Sequence, residues 1–270
     1  MEKSIKMDNA KGWNTISKSY QKRYNIQPNK YYWGPLCPKS LDKLLGNLKG
    51  KRILELGSGA AQNSIYLAKH GACVTALDVS SEQLNYGRKL AKANNVHIEF
   101  VQGNFESVKK YFEPNIFDKI VSSFALQYCM TPKSLKSVIN QIFNLLKIKG
   151  ELIFSIDHPV RHHGYWDQND NFIIDNYFDR NTKSWEYSFP EDGISSTMTG
   201  SYKTIADYIS SIIETGFILK AFIEPEPIDH EISNNFAVKS RYIDDPKKNP
   251  FSINHLKRIP GTLIIKVVKE

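Results

Sequence analysis

From residue 51 to 157 the chain alternates short apolar runs with segments of helical period. The runs RILEL, CVTALD, HIEFVQG, DKIVSSF and GELIFSID are short and rich in Val and Ile, which predicts strands. Between them AQNSIYLAKHG, SSEQLNYGRKLAKANN, ESVKKYF and TPKSLKSVINQIFNLLKIKG read as helices. Gly71 and Gly150 follow lysine-bearing last turns, the pattern of a helix C-cap, and Ser80 and Ser81 open the second helix with capping hydroxyls. Five strands separated by helices predict a parallel sheet covered on both faces, because right-handed crossovers force that arrangement.

Past residue 157 the rhythm breaks. Residues 158 to 201 are rich in aromatic, Asp and Asn residues and include HPVRHHGYW and YFDRNTKSWEYSFPEDG, which read as hairpins or loops inserted into the domain. The regular pattern resumes with a helix over YKTIADYISSIIETG and a strand over FILKAFIEP. After a polar stretch from 229 to 256, the strand GTLIIKVVK follows. The expected organisation is an N-terminal segment over 1–50 and one α/β domain over 51–270 carrying an insertion at about 158–201.

With 270 residues, 41% of them hydrophobic and 24% charged, the chain has the composition of an ordinary globular protein. No apolar stretch approaches the ~18 residues needed to span a bilayer, and the start MEKSIKMDNAKGW lacks the apolar centre of a signal peptide, so the expected location is cytoplasmic, without a membrane partner. Cys37, Cys73 and Cys129 are far apart and lack metal-ligand spacing, which predicts small buried apolar residues and no metal site. The net charge is +8, and residues 1 to 50 hold ten Lys or Arg against Glu2, Asp8 and Asp42. Such a surplus can attract an anion or a nucleic acid. Because the lysines are scattered, they read first as a solvated face.

The stretch RILELGSGAAQNS, residues 52 to 64, is a strand that feeds a helix through glycines. In an open parallel sheet the ligand lies beyond the carboxyl ends of the strands, where the strand order reverses, so this turn lines the cleft. Gly57 and Gly59 let the backbone bend and approach a ligand closely. A dinucleotide fingerprint wants a small residue at position 62, which is Gln62, and no Gly-Lys-Ser/Thr follows for a triphosphate loop. What remains is Glu55 before the turn and Asp78 at the end of the next strand. Asp78 is placed to accept ribose hydroxyls, and Glu55 to hold a cationic amine. An adenosine with an amino-acid tail suits both carboxylates.

The stretch ILELGSGAAQNSIYLAKHGACVTALDVSSEQL, continued by EFVQGNFESV, FDKIVSSFALQY and LLKIKGELIFSIDHP, resembles the class I S-adenosylmethionine-dependent methyltransferases over residues 51 to 159. The resemblance implies a three-layer Rossmann-like sandwich with a seven-stranded, mostly parallel sheet whose last strand is antiparallel. It implies S-adenosyl-L-methionine as cofactor, with Gly57 and Gly59 flanking its methionine portion, Asp78 its ribose, Asn104 and Phe105 its adenine, and Ser123 facing the side of the donor sulfur. Two positions depart from the family pattern: Ala61 replaces the third glycine of the motif, and Asn104 stands where the family usually has Asp.

Methyl transfer from a sulfonium is an in-line displacement, so aligning the acceptor and excluding water supply much of the catalysis. If a proton must be removed, DHPVRHHGYW offers His158, His162 and His163, while Arg161 could hold an anionic acceptor. His158 follows directly on the fifth strand and is the first candidate. In resembling families the N-terminal segment is a helical lid, with an aromatic such as Tyr20 near the amino-acid end of the cofactor. Trp13, Tyr31, Tyr32 and Trp33 in that segment, with Trp166, Trp185 and Tyr187 in the insertion, predict an aromatic pocket for a small molecule. The expected function is methylation of a small organic acceptor, such as an aromatic or otherwise cyclic metabolite, at oxygen, carbon or nitrogen, with no nucleic-acid partner; oligomeric state stays open. The alternatives are a nucleic-acid or protein methyltransferase, or a cofactor-binding protein without catalysis.

Overall fold

The computed structural model describes residues 9–34, 41–226 and 253–270. Seven strands form the central sheet: β1 (Arg52–Leu56), β2 (Cys73–Asp78), β3 (Ile98–Gln102), β4 (Phe117–Ser123), β5 (Leu146–Asp157), β10 (Phe217–Ile223) and β11 (Thr262–Lys269). Their order is β10-β11-β5-β4-β1-β2-β3, and β11 runs antiparallel to both of its neighbours. The strand order reverses between β1 and β4, which places the cleft beyond their carboxyl ends.

Successive side chains of a strand face opposite sides of the sheet, and here both sides are buried. Leu54, Leu56 and Ile120 pack beneath Leu135, Val138 and Ile142 of α4 (Pro132–Leu145) and Tyr208 and Ile212 of α6 (Ile205–Thr215). Ile53, Val121, Ile153 and Ile264 face the other way, onto Tyr66 and Leu67 of α2 (Gln62–Lys69) and onto Tyr31 and Trp33. α3 (Ser81–Ala93) starts as expected: the Ser80 hydroxyl accepts the Gln83 N–H at 3.1 Å.

α1 (Asn9–Tyr24) lies outside these layers, against α3 and against the hairpin of β8 (Thr182–Phe189) and β9 (Ile194–Ser201). Ile16 and Tyr24 of the helix share a buried cluster with Phe189 and Met198. A second hairpin pairs β6 (Gly164–Trp166) with β7 (Phe172–Ile174), after the one-turn α5 (Pro159–His162). The short α7 (Ile253–Leu256) precedes β11. Among the described residues no helix is long and apolar enough to cross a membrane.

Three local expectations need correction. The helix α4 ends at Leu145 and β5 begins at once, so Gly150 is a strand residue rather than a C-cap; Lys149 takes the left-handed turn, with φ 62°. The segment 105–110 is a 3-10 helix broken at Ser107 instead of an α-helix. Cys73, the first residue of β2, is exposed, whereas Cys129 is buried; Cys37 lies outside the described residues. By contrast Gly71, φ 85°, closes α2 as a left-handed cap.

Candidate active site

A cavity of about 390 Å³ opens beyond the carboxyl ends of β1, β2, β4 and β5. Glu55, Gly57, Gly59, Asp78, Asn104, Phe105, Ser123 and Tyr20 all line it, so one cavity gathers residues spread over more than a hundred positions.

The glycine turn is built by backbone geometry. Gly57 and Gly59 have φ of 65° and 53°, in the left-handed region that side chains disfavour. A Cβ on Gly57 would lie 2.3 Å from the Cβ of Ala125, while one on Gly59 would meet nothing within 4 Å. Gly57 therefore lets two chain segments touch, and Gly59 keeps ligand space free. Ala61 also sits in the left-handed region, φ 58°, immediately before α2, which explains why a glycine suits the third motif position.

Asp78 fastens the turn. Its Oδ2 accepts the Gly59 N–H at 2.7 Å and its Oδ1 accepts the Ser80 N–H at 2.8 Å. Burial raises its carboxyl above the usual range, and these N–H groups act in the opposite direction. Glu55 is 2% exposed and accepts the Ser64 hydroxyl at 2.5 Å. Burial pushes its carboxyl up to about 7, against the hydrogen bonds of Ser64 and Asn63. The Ser58 hydroxyl lines the same cradle, buried and without a hydrogen-bond partner among the described residues. A donor with a cationic amine, hydroxyls and an adenine fits these residues: each polar group that burial leaves strained or unmatched has a counterpart in it.

Asn104 caps the 3-10 helix, its side-chain oxygen accepting the Glu106 N–H at 2.8 Å. Asn63 binds both the N–H and the carbonyl of Tyr32, at 2.7 and 2.9 Å, and reaches Ser123 Oγ at 3.3 Å. Gln62 donates to Gln21 Oε1 at 2.6 Å, and Gln21 donates to Gln83 Oε1 at 2.8 Å. The residue that breaks the dinucleotide fingerprint thus ties α1 to the mouth of the cavity.

The histidine-rich segment is placed differently from its sequence reading. His158, Arg161 and His162 are not among the lining residues. His158 is 2% exposed with Nε2 on Glu224 Oε1 at 2.8 Å, and burial holds its imidazolium form below the usual range. Arg161 is buried, and His163 bonds the Pro159 carbonyl at 2.7 Å. His162 is joined to the lining through Asp157, whose Oδ2 lies 2.9 Å from His162 Nε2. The Gln127 amide also donates to that oxygen at 3.1 Å, and its carbonyl accepts the Asp157 N–H at 3.0 Å.

Asp157, Glu106, Phe124, Gln127 and Tyr128 are lining residues that the sequence reading missed. Asp157 had a visible signal: like Asp78, it is the carboxylate that ends an apolar strand at the cleft. Phe124 had none, since its left-handed φ of 56° follows from the turn it makes after β4. Lys203 secures this side from below, its ammonium donating to the carbonyls of Gln127, Cys129 and Ser201, and burial pulls it down to about 8.

The family model of the methyltransferase domain matches residues 53–150. A ubiquinone biosynthesis O-methyltransferase of Erwinia tasmaniensis is 24% identical over 93% of this chain and 84% of its own length. A Geobacillus protein assigned as a methyltransferase is 31% identical over 51% of this chain, which spans 54% of that relative. Among solved structures, one from Listeria monocytogenes assigned to the S-adenosylmethionine dependent methyltransferases superposes with a TM-score of 0.65 at 26% identity, covering 85% of this chain and 95% of that one. The [4+2]-cyclase SpnF shares the fold, with a TM-score of 0.61 at 14% identity over 97% of this chain and 94% of its own. The glycine turn, its two carboxylates and the sheet order therefore have one common explanation, which the matching domain supplies: residues 53–150 form a methyltransferase domain, and the chain is similar to S-adenosylmethionine-dependent methyltransferases, with S-adenosylmethionine as cofactor.

Proposed function

We propose that the protein methylates a small organic acceptor that shares one cavity with the cofactor. The observation that carries this reading is the continuity of the cavity, from the glycine turn at Gly57 and Gly59 to an aromatic wall of Trp13, Tyr20, Tyr128 and Tyr187. Bound S-adenosylmethionine supplies an electrophilic methyl group, which an acceptor lone pair takes while the carbon–sulfur electron pair stays on sulfur.

Gly57 and Gly59 flank the methionine portion, Glu55 faces its amine, Asp78 takes the ribose hydroxyls, and Asn104 with Phe105 bounds the adenine. Ser123 and Tyr20 border the reacting end. α1 acts as a lid: its fastening through Gln21 and the Asn63 clamp on Tyr32 exclude water and hold the acceptor in line. Asp157 is the group of the fifth-strand segment that reaches the acceptor, oriented by Gln127 and His162. His158 and Arg161 support that segment from beneath.

Incubation with labelled cofactor and a panel of phenols, amines and cell extract, followed by mass spectrometry of products, tests the proposal; a methylated small molecule is the expected result. Because the fold is shared with a [4+2]-cyclase and fold does not by itself establish reaction, one second reading is a cofactor-binding protein without methyl transfer. Tight cofactor binding with no transfer to any acceptor would select it.

A further inference from the structure

The chain carries a net charge of +8, yet its cavity is lined on the opposite sign. Glu55, Asp78, Glu106 and Asp157 line it, and among the described residues no Lys, Arg or His does. The first two belong to the cofactor cradle. Asp78 holds the glycine turn through both oxygens, and Glu55 is bonded to Ser64.

Asp157 stands apart from that cradle. Among the described residues the side-chain contacts it receives, from Gln127 and His162, fall on Oδ2, so Oδ1 is the oxygen left for a ligand. In the same cavity four rings converge from three parts of the chain: Trp13 and Tyr20 from α1, Tyr128 from the 3-10 turn after β4, which feels the Asp157 charge, and Tyr187 from β8. Trp13 lies 5.4 Å from Tyr20, 6.2 Å from Tyr128 and 5.3 Å from Tyr187, between ring centroids. The Tyr128 and Tyr187 hydroxyls are 3.5 Å apart. Burial raises the Tyr128 phenol well above its usual range, so this wall presents neutral rings. Aromatic faces next to a carboxylate attract an organic cation and repel a carboxylate or phosphate.

We propose that Asp157 and the rings of Trp13, Tyr20, Tyr128 and Tyr187 bind the acceptor as an organic ammonium, so that the atom presented for methylation is nitrogen. This deepens the methyltransferase reading and rests on it. Asp157 takes one proton from the bound ammonium: the N–H bond breaks, an O–H bond forms on the carboxylate, and the electron pair remains on nitrogen as the nucleophile. The carboxylic acid then returns the proton to solvent. The assignment departs from the oxygen chemistry named for the Erwinia relative, whose identity to this chain is 24%.

Calorimetry decides it without turnover. Benzyltrimethylammonium, benzyl alcohol and benzoate are titrated into the full chain, alone and after saturation with S-adenosylhomocysteine. The expected result is that the ammonium binds about tenfold or more tighter than the alcohol, and benzoate weakest. Asp157→Asn and Tyr187→Ala each lower the ammonium affinity by about fivefold or more while leaving that of S-adenosylhomocysteine in place. Equal affinity for the alcohol, or preference for benzoate, on the wild-type chain would overturn the proposal. So would expulsion of the ammonium by S-adenosylhomocysteine, which would give the rings to the cofactor. Failure of S-adenosylhomocysteine to bind would count against the cofactor assignment alone, because the ammonium preference is also read on the free chain.

Discussion

Asp78 and Gly59 form one unit: the carboxylate at the end of β2 accepts the backbone N–H at the centre of the glycine turn, at 2.7 Å. The residue assigned to the ribose therefore also shapes the loop beneath the methionine portion. Asp78→Ala is expected to weaken S-adenosylhomocysteine binding by about tenfold or more, since charge-assisted hydrogen bonds contribute ~1.5 to 3 kcal/mol each. Asp78→Asn, which keeps one acceptor oxygen, is expected to fall between. A dissociation constant unchanged in both variants would reject the assignment.

The two glycines should separate folding from binding. Gly57→Ala meets Ala125 at 2.3 Å as well as an unfavourable φ, so it should lower the urea midpoint strongly. Gly59→Ala has open space and only the backbone penalty, roughly 1 to 2 kcal/mol. Its larger effect should be on cofactor affinity, because its methyl group enters ligand space. Equal losses of stability in the two variants would contradict this division.

Ala61→Gly is expected to stabilise the protein. The left-handed conformation costs alanine roughly 1 to 2 kcal/mol, and glycine's greater freedom when unfolded returns part of that, leaving a gain of about 1 kcal/mol. Urea denaturation checks the sign, and a lower midpoint would show that strain at this position has been released elsewhere.

Glu55 links cofactor binding to pH. Its carboxyl is held at about 7 in the free protein, and a neighbouring cationic amine favours the charged form. Binding of S-adenosylhomocysteine near pH 7 should release a proton, measurable as a dependence of the binding heat on buffer ionisation, and affinity should fall as pH drops below 7. For the free protein the sign is opposite: the folded state binds more protons than the unfolded chain between about 4.5 and 7, so stability declines as pH rises through that window, by up to about 3 kcal/mol. Glu55→Gln should remove both effects. Pre-steady binding heats that do not vary with buffer would argue that another group faces the amine.

His158 is expected to act on stability before chemistry. Burial holds it neutral, so an unfolded chain takes up a proton first as pH falls below about 6.5, and stability is lost in that direction. His158→Gln should flatten this acid sensitivity and reduce turnover less than Asp157→Asn does. The reverse order of effects on turnover would restore His158 as the proton acceptor.

The strands β1 and β2 coincide with their apolar runs because both are central and covered on each face, so burial alone writes their limits. The same signal located Glu55 and Asp78. It failed at the end of α4, where lysines continue the helical spacing although the chain has already turned into β5 at Leu146. Residue spacing also could not show that His158 turns inward to Glu224 while Asp157 faces the cavity, since that choice is made by a long-range partner 66 positions away. Gln62 shows the same limit. Read alone it is a missing small residue, and its use becomes visible only beside Gln21.

Trp13 and Gln21 lie on the same helix, one walling the acceptor end and the other bonded to both Gln62 and Gln83 beside the donor cradle. Neither half of the reaction can therefore be opened to solvent without disturbing the other. The consequence is mechanical: on the proposed reading, loosening α1 at Gln21 would unseat the donor cradle and the acceptor wall in one movement.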